Sequence, residues 1–388
     1  MRRTALVVLA LAVGAAGAAP FRPATGTQVL EVLPARATPQ QQELRRLRTA
    51  LAAAPNDAGR AAAVARAWIE LGRSESDPRY FGYAQAALAP WWRVPAPPPE
   101  VRLLRAVLLQ TNHHFTDALA DLDALTLADP GNVQAWLTRA TVQTVRADYA
   151  GALHSCGRVS ALADPLVSTA CLANVASLTG RLEASERLLA LTFARSGVTD
   201  AALVAWVQTM LAEMAVRRGD AAVAERRFRQ ALRAAPGDAY LLGAYADFLL
   251  DQGRSAQVAE LLSSHLRVDG LLLRYAIALK RTRSDELPGV LRELDARFDA
   301  ARQRGDSIHQ REQARLLLEL QAAPVEALRV AQKNWDIQKE PADARILLEA
   351  ARAARDRAAA RPVLGWMKSH GVEDKALSAL AAALGGGA

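Results

Sequence analysis

The sequence predicts an all-α protein, built as one long array of stacked helical hairpins. Three observations carry that reading. Alanine, leucine and arginine dominate and only 5% of residues are aromatic, a balance that favours helix over sheet. Breakers recur at a near-constant step: Pro55, Pro90, Pro130, Pro165, Asp200, Pro236, Gly270, Gly305 and Pro341 stand 35, 40, 35, 35, 36, 34, 35 and 36 residues apart. Each interval divides again near its middle, at Gly72, His113-His114, Ala147-Asp148, Gly180, Gly219, Gly253 and Ala322-Ala323. Two helices of about 12 to 15 residues with a tight turn between them make one unit, and neighbours must stack because a lone pair cannot bury its apolar stripe. The chain has 388 residues, 51% of them hydrophobic, which excludes a wholly disordered protein.

From the N-terminus, residues 1–19 read as a cleavable export signal. Arg2 and Arg3 form the basic start, Leu6 to Val13 a short apolar run, and Ala16-Gly17-Ala18 the small-residue cleavage site. The run is too short for a comfortable membrane span, and no cysteine near the junction offers a lipid anchor. A soluble, oxidising compartment is expected, in a bacterium the periplasm, with no membrane span left after cleavage. Residues 20–37 carry three prolines and no helical period, and read as a linker. A single helix over 38–54 is expected to cap the array, which runs over 38–371. A short helix around Glu373–Leu384, within a capping segment and tail over 372–388, closes the other end.

Two places break the period. Ser74 to Tyr80 lengthens the first turn, and Trp91-Trp92-Arg93-Val94-Pro95-Ala96-Pro97-Pro98-Pro99 inserts residues between units. Its prolines forbid helix and favour an extended segment. Trp91 and Trp92 either contact a partner or cap the hydrophobic core where stacking is interrupted.

Residues at fixed places within the units resemble tetratricopeptide repeats. Unit 201–236 has Ala212, Gly219-Asp220, Ala224, Phe228, Ala231-Leu232 and Pro236; unit 131–165 has Trp136, Ala140 and Ala152. Unit 91–130 has Ala106, Ala118, Leu122 and Pro130; unit 56–90 has Ala65, Trp68, Leu71 and Gly72; unit 237–270 has Ala246, Gly253 and Leu262. After Gly270 the period persists with less identity. The resemblance implies a right-handed α-solenoid of about 8–9 repeats whose first helices line a concave groove for a peptide or protein partner. Carrying the inward positions over gives Gln134, Thr141 and Thr144, then Trp206, Thr209, Glu213 and Arg217, then Tyr240 and Asp247. These either anchor an extended peptide or form a solvated inner face. The set lacks the Lys/Asn/Arg clamp that the family's chaperone-binding members use on a terminal carboxylate.

Formal charge is +8, from 48 cations and 40 acids, and only Lys280, Lys333, Lys339, Lys368 and Lys375 are lysines. The arginines are scattered among acids rather than clustered, so no nucleic-acid partner is expected. None of the six histidines has metal-binding spacing, and no catalytic or phosphate-cradling motif is present. Catalysis is therefore unsupported, and the tetratricopeptide resemblance implies a non-catalytic scaffold or adaptor without cofactor or metal, working by protein–protein contact. The alternative is a module for an envelope polysaccharide or its export, which the basic charge and the tryptophans near the insert leave open.

Cys156 and Cys171 lie equally far from the turn at Ala163-Asp164. In antiparallel helices such residues sit side by side, at the spacing a disulfide needs. Bonded, they would stabilise by ~3 kcal/mol; free, they would pack as small apolar residues.

Overall fold

The structure, a computed structural model, describes Thr25, residues 38–303 and residues 309–385. The export signal, the linker apart from Thr25, the breaker Gly305 and the last three residues lie outside the described residues. The chain divides into two compact units, Met1–Arg46 and Leu47–Ala388. In the first, the described residues begin helix α1 (Pro39–Ala53). The Thr38 hydroxyl accepts the Gln41 amide at 3.2 Å, and the Gln41 side chain accepts the Thr38 amide at 3.1 Å. This reciprocal cap satisfies two amides that the helix itself leaves without partners.

The second unit is an all-α solenoid of nine hairpins, with 21 α-helices in all and no strand among the described residues. Its hairpins begin with α2 (Ala58–Glu75) and α3 (Arg79–Ala87), after which a short turn of helix, α4 (Ala89–Trp92), leads into the proline insert. Then come α5 (Pro99–Thr111) with α6 (Phe115–Ala128), α7 (Val133–Val145) with α8 (Tyr149–Ser160), and α9 (Pro165–Ala176) with α10 (Leu182–Ser196). Next are α11 (Ala201–Arg218) with α12 (Ala221–Ala234), α13 (Ala239–Asp251) with α14 (Ser255–Leu262), and α15 (Asp269–Thr282) with α16 (Leu287–Gln303). Helix α17 (Gln310–Arg315) runs on through a π-helical turn, Leu316–Leu320, and pairs with α18 (Pro324–Ile337). Helix α19 (Pro341–Ala353) pairs with α20 (Arg361–His370), and α21 (Lys375–Ala383) follows alone.

The breakers work by identifiable means. Pro165 and Pro341 open helices rather than end them, since proline fits the first helical position. Asp57, Asp148, Asp164, Asp200, Asp220, Asp238 and Asp374 each accept a first-turn amide from their own helix. Such caps also place a negative charge at the positive end of the helix dipole. The small and aromatic positions of the repeat pattern are interior: Ala212, Ala224 and Ala231 are fully buried, as is Phe228.

Three local expectations change. Gly72 is not a turn residue but lies inside α2, where a Cβ would stand 3.0 Å from the Phe81 ring; glycine there lets α3 pack closely, and the reversal falls at Ser76–Pro78. Gly270 sits in the first turn of α15, and the break precedes it at Ser263–Val268. Trp91 and Trp92 are helical, in α4, so the extended run begins only after them.

Each of the nine reversals contains one residue in the left-handed region: Ser76, His113, Ala147, Gly180, Gly219, Gly253, Arg283, Ala322 and Arg355. In most, the next amide reaches back five residues, as Asp148 to the Gln143 carbonyl at 2.8 Å and Asp220 to the Ala215 carbonyl at 2.9 Å. This closes the helix end in the Schellman manner. Glycine adopts that conformation freely, whereas a Cβ there is unfavourable by roughly 1–2 kcal/mol.

Stacking between sequence neighbours does not account for the whole core. One cluster joins Ala140–Leu178 to Ala314–Leu384. The Trp366 indole N–H donates to the Tyr149 hydroxyl at 3.1 Å, and the Lys339 amide to the Val145 carbonyl at 2.8 Å. The last hairpins thus pack back onto α7–α9.

Replacing Ala147 (φ +61°) by glycine relieves left-handed strain, so Ala147→Gly should stabilise the protein by about 1 kcal/mol. Thermal unfolding checks this: an unchanged or lowered midpoint would mean that the turn is not under strain.

Candidate functional site

Helices α7, α11 and α13 carry the residues that the repeat pattern assigns to a groove. Their states differ. Gln134 is exposed and donates to the Thr138 hydroxyl at 3.2 Å, and Thr141 is exposed with its hydroxyl on the Leu137 carbonyl. Thr144 and Thr209 are buried, and their hydroxyls donate to the carbonyls of Ala140 and Ala205, both at 2.7 Å. Those two finish their own helices and present nothing to a partner. Trp206 is 43% exposed and Tyr240 67% exposed, the most open of the aromatic groove positions.

The charged members are held within the chain. Tyr240 donates to Glu213 at 2.6 Å, bringing α11 and α13 together. Arg217 donates to both the carbonyl and the hydroxyl of Ser177, at 3.0 and 2.8 Å. Asp247 accepts from Arg274 at 2.6 Å and from Arg315 at 2.5 Å. Farther on, Arg345 of α19 grips Asp251 of α13 with two bonds, at 2.6 and 2.7 Å. Helices α13, α17 and α19 are therefore tied together by an ionic seam of which the candidate groove residue Asp247 is a member.

Depth within protein sets the protonation of the seam. Burial pushes the Glu340 carboxyl up to about 7, with the neighbouring Asp343 charge acting in the same direction. Burial also raises Glu213, Asp343 and Asp374 above the ordinary carboxylate range. Asp343 is fully enclosed by Asn334 and Gln338, which donate to it at 2.8 and 3.0 Å. Asp247 goes the other way: burial opposes its charge, but Arg274 and Arg315 overcome it and hold the carboxyl well below its usual value. Beside the seam, burial presses the His370 imidazole down, and the Tyr149 ring meets it edge-on at 4.8 Å.

Two features that the sequence pattern does not show fix the proline insert. Arg105, 8% exposed, makes a two-point bond to buried Asp121, both contacts at 2.7 Å. Its remaining nitrogen donates to the carbonyls of Trp91, Trp92 and Val94 at 3.3, 2.8 and 2.9 Å. The two indoles themselves pack, half-buried, against the core of the first hairpins. Two arginines, Arg102 and Arg105, in a run of leucines, the second 16 residues before an Asp on the next helix, were the only available signal. Cys156 and Cys171 are bonded, with Cα atoms 5.5 Å apart, and join α8 to α9 across successive hairpins.

Among the described residues no group of His, Cys, Asp and Glu is arranged to hold a metal ion, and no described helix is long and apolar enough to cross a membrane. The hairpins bury small residues where helices cross and an aromatic at Phe228, and each reverses through one left-handed residue. No family model and no curated protein matches the chain. Among solved structures, it is similar to a tetratricopeptide repeat protein from Parabacteroides merdae, at 12% identity over 82% of this chain and 98% of that one, with a TM-score of 0.34. It is also similar to yeast Tom70, at 12% identity over 89% of this chain and 92% of that one, TM-score 0.29. The tetratricopeptide domain of P58(IPK) aligns at 17% identity over 74% of this chain and 97% of its own, TM-score 0.22.

Removing Arg105 leaves the buried Asp121 charge with only Arg102, 3.9 Å away, so Arg105→Ala should lower stability by about 3 kcal/mol, while Arg105→Leu with Asp121→Leu recovers only part of it because Arg102 then loses its carboxylate. Denaturant melts decide; a cost under about 1 kcal/mol for the single variant would show the pair to be dispensable.

The raised carboxyls bind protons more tightly folded than unfolded. Their contribution is complete below the ordinary 4.5 of a glutamate and is lost as pH rises through about 7 at Glu340. His370 acts in the opposite sense, but only below its ordinary 6.5. Between pH 8 and pH 6.5 the carboxyls prevail, and the melting temperature should rise as pH falls. Glu340→Gln should flatten that rise; a melting temperature of the native chain that does not rise over this range would show that the carboxyls titrate at their ordinary values.

Proposed function

We propose that this chain is an exported, non-catalytic scaffold that holds a partner protein on the inner face of α11 and α13. The observation that carries the reading is the pair Trp206 and Tyr240, large aromatic side chains whose rings stay open to solvent although the Tyr240 hydroxyl is bonded to Glu213. Trp206 lies two helical turns from Glu213 on one face of α11, about 10 Å away, and Tyr240 meets that same Glu213. Open aromatic anchors beside a rigid polar surface are what dominate binding energy at protein interfaces. The basic start, apolar run and small-residue site of residues 1–19 support export, most simply to a periplasm. The Cys156–Cys171 bond fits an oxidising compartment.

An acidic envelope polysaccharide is the second reading, and one specific feature favours it. Trp68 stacks on Tyr80 at 5.3 Å and meets Tyr83 at 4.9 Å, with the Arg48 guanidinium 5.9 Å from its ring. Tyr83 is half exposed, giving an aromatic and cationic platform on the first hairpin.

Mild crosslinking and capture from the envelope fraction, with the native chain beside Trp206→Ala/Tyr240→Ala, tests the two readings together. The scaffold predicts one or a few proteins captured by the native chain and reduced at least about tenfold by the double substitution. Equal capture by both chains overturns it. Sugar polymer co-purifying without protein, and released by salt, establishes the second reading instead.

A further inference from the structure

Two helical stretches run without an acid: Arg187–Ser196 in α10 and Arg226–Ala234 in α12. In the first, Arg187, Leu188, Leu191 and Arg195 recur at helical spacing and are exposed, Leu188 at 55% and Leu191 at 53%, while Leu189 is buried. In the second, Arg226, Arg229 and Arg233 form the exposed stripe, and Phe228 and Ala231 the buried one. Both helices pack on α11. Glu186 of α10 bonds Arg218 at 2.9 Å and also acts on Arg227 of α12, so the two helices lie side by side. The acids around them are committed. Glu225 is held by Arg254 at 2.8 Å as well as by Arg229 at 2.7 Å. Asp200 and Asp238 cap α11 and α13, and Glu183 lines a recess with Arg217 and Lys375. Arg187, Arg195, Arg226 and Arg233 are left without an ion pair among the described residues; Arg226 reaches only the Ala222 carbonyl, at 3.4 Å.

We propose that this face docks the protein on an anionic phospholipid surface, its arginines on the headgroup phosphates and Leu188 and Leu191 in the apolar boundary beneath. The inference goes beyond the scaffold reading and does not rest on it. The occupant is read from the two components of the face. Unpaired arginines complement a layer of negative charge, and their long stems let the guanidinium stay at phosphate level while the leucines beside them go deeper. A polysaccharide or a nucleic acid offers the charge without an apolar layer, and would leave both leucines in water. A bilayer supplies both at once. Attachment through a handful of arginines and two leucines is reversible and weakened by salt, since the lipid field fades within a Debye length.

The probes are phosphatidylcholine vesicles with and without about 30% phosphatidylglycerol. The chain used is residues 20–388, from which the apolar run of the export signal, able to insert by itself, is gone. Co-sedimentation should show the native chain binding the anionic vesicles at least about tenfold more tightly than the neutral ones, and released by salt. Leu188→Ser/Leu191→Ser and Arg226→Ser/Arg233→Ser should each weaken that binding about tenfold. Arg352→Ser/Arg361→Ser, the same charge removed elsewhere, should bind as the native chain does. Equal binding to the two kinds of vesicle overturns the proposal, and so does equal loss in the control variant, which would reduce the effect to overall charge. Loss with the arginine pair alone, the leucine pair binding normally, assigns the face to a polyanion and overturns the lipid assignment. Should a variant fail to fold, hydroxyl-radical labelling of the native chain decides. Protection of Leu188 and Leu191 by anionic vesicles supports the proposal, and unchanged labelling overturns it. Trp206 and Tyr240 are not part of this face, so failure here leaves the capture experiment standing.

Discussion

The left-handed residue in each reversal is the constraint on which the array depends. A hairpin of two helices packs only if the chain turns back within a few residues, and the Schellman closure does this by placing one residue at positive φ. With nine reversals of this kind, each first helix is followed at once by a second that turns back beside it. The spacing of the aspartate caps, the burial of the small crossing residues and the inward set on α11 and α13 all follow from that repeated geometry. Only then can residues as distant as Asp251 and Arg345 meet.

The array was legible in the sequence because its signals are local. Breakers at a step of about 35 residues, glycines at Gly180, Gly219 and Gly253, and two cysteines placed symmetrically about a turn each concern residues close along the chain. The first hairpin misled because Gly72 is a packing glycine, and a packing glycine and a turn glycine look alike in sequence. Where Ala147, Ala322 and Arg355 hold positive φ, nothing in residue type announces it; the period alone placed the first two, and the last passed unread.

The site was much less legible. Periodicity identifies which face of a helix points inward but not what stands opposite, and the opposite wall comes from residues 68 to 217 positions away along the chain. Glu213, Arg217 and Asp247 read as groove positions, although each is bonded to a residue 27 to 68 positions away on another helix or turn. Gly180 and Gly219 show the same limit from another side. Both serve as turn residues, and both also leave room for the returning chain at Gly371 and Lys375, but the turn alone already accounts for their being glycine.

The disulfide between α8 and α9 spans 15 residues, whereas the Trp366 indole arrives 217 residues after Tyr149. At roughly 5–20 residues per second of synthesis, about 10–40 s separate the two. Within that interval α8 and α9 and the disulfide between them are in place, with Tyr149 uncovered, before the indole that caps it has been made. The contact order of this one seam, far above that of the hairpins, makes it the slowest element to form. A nascent chain thus displays to its surroundings the surface that the finished one keeps covered.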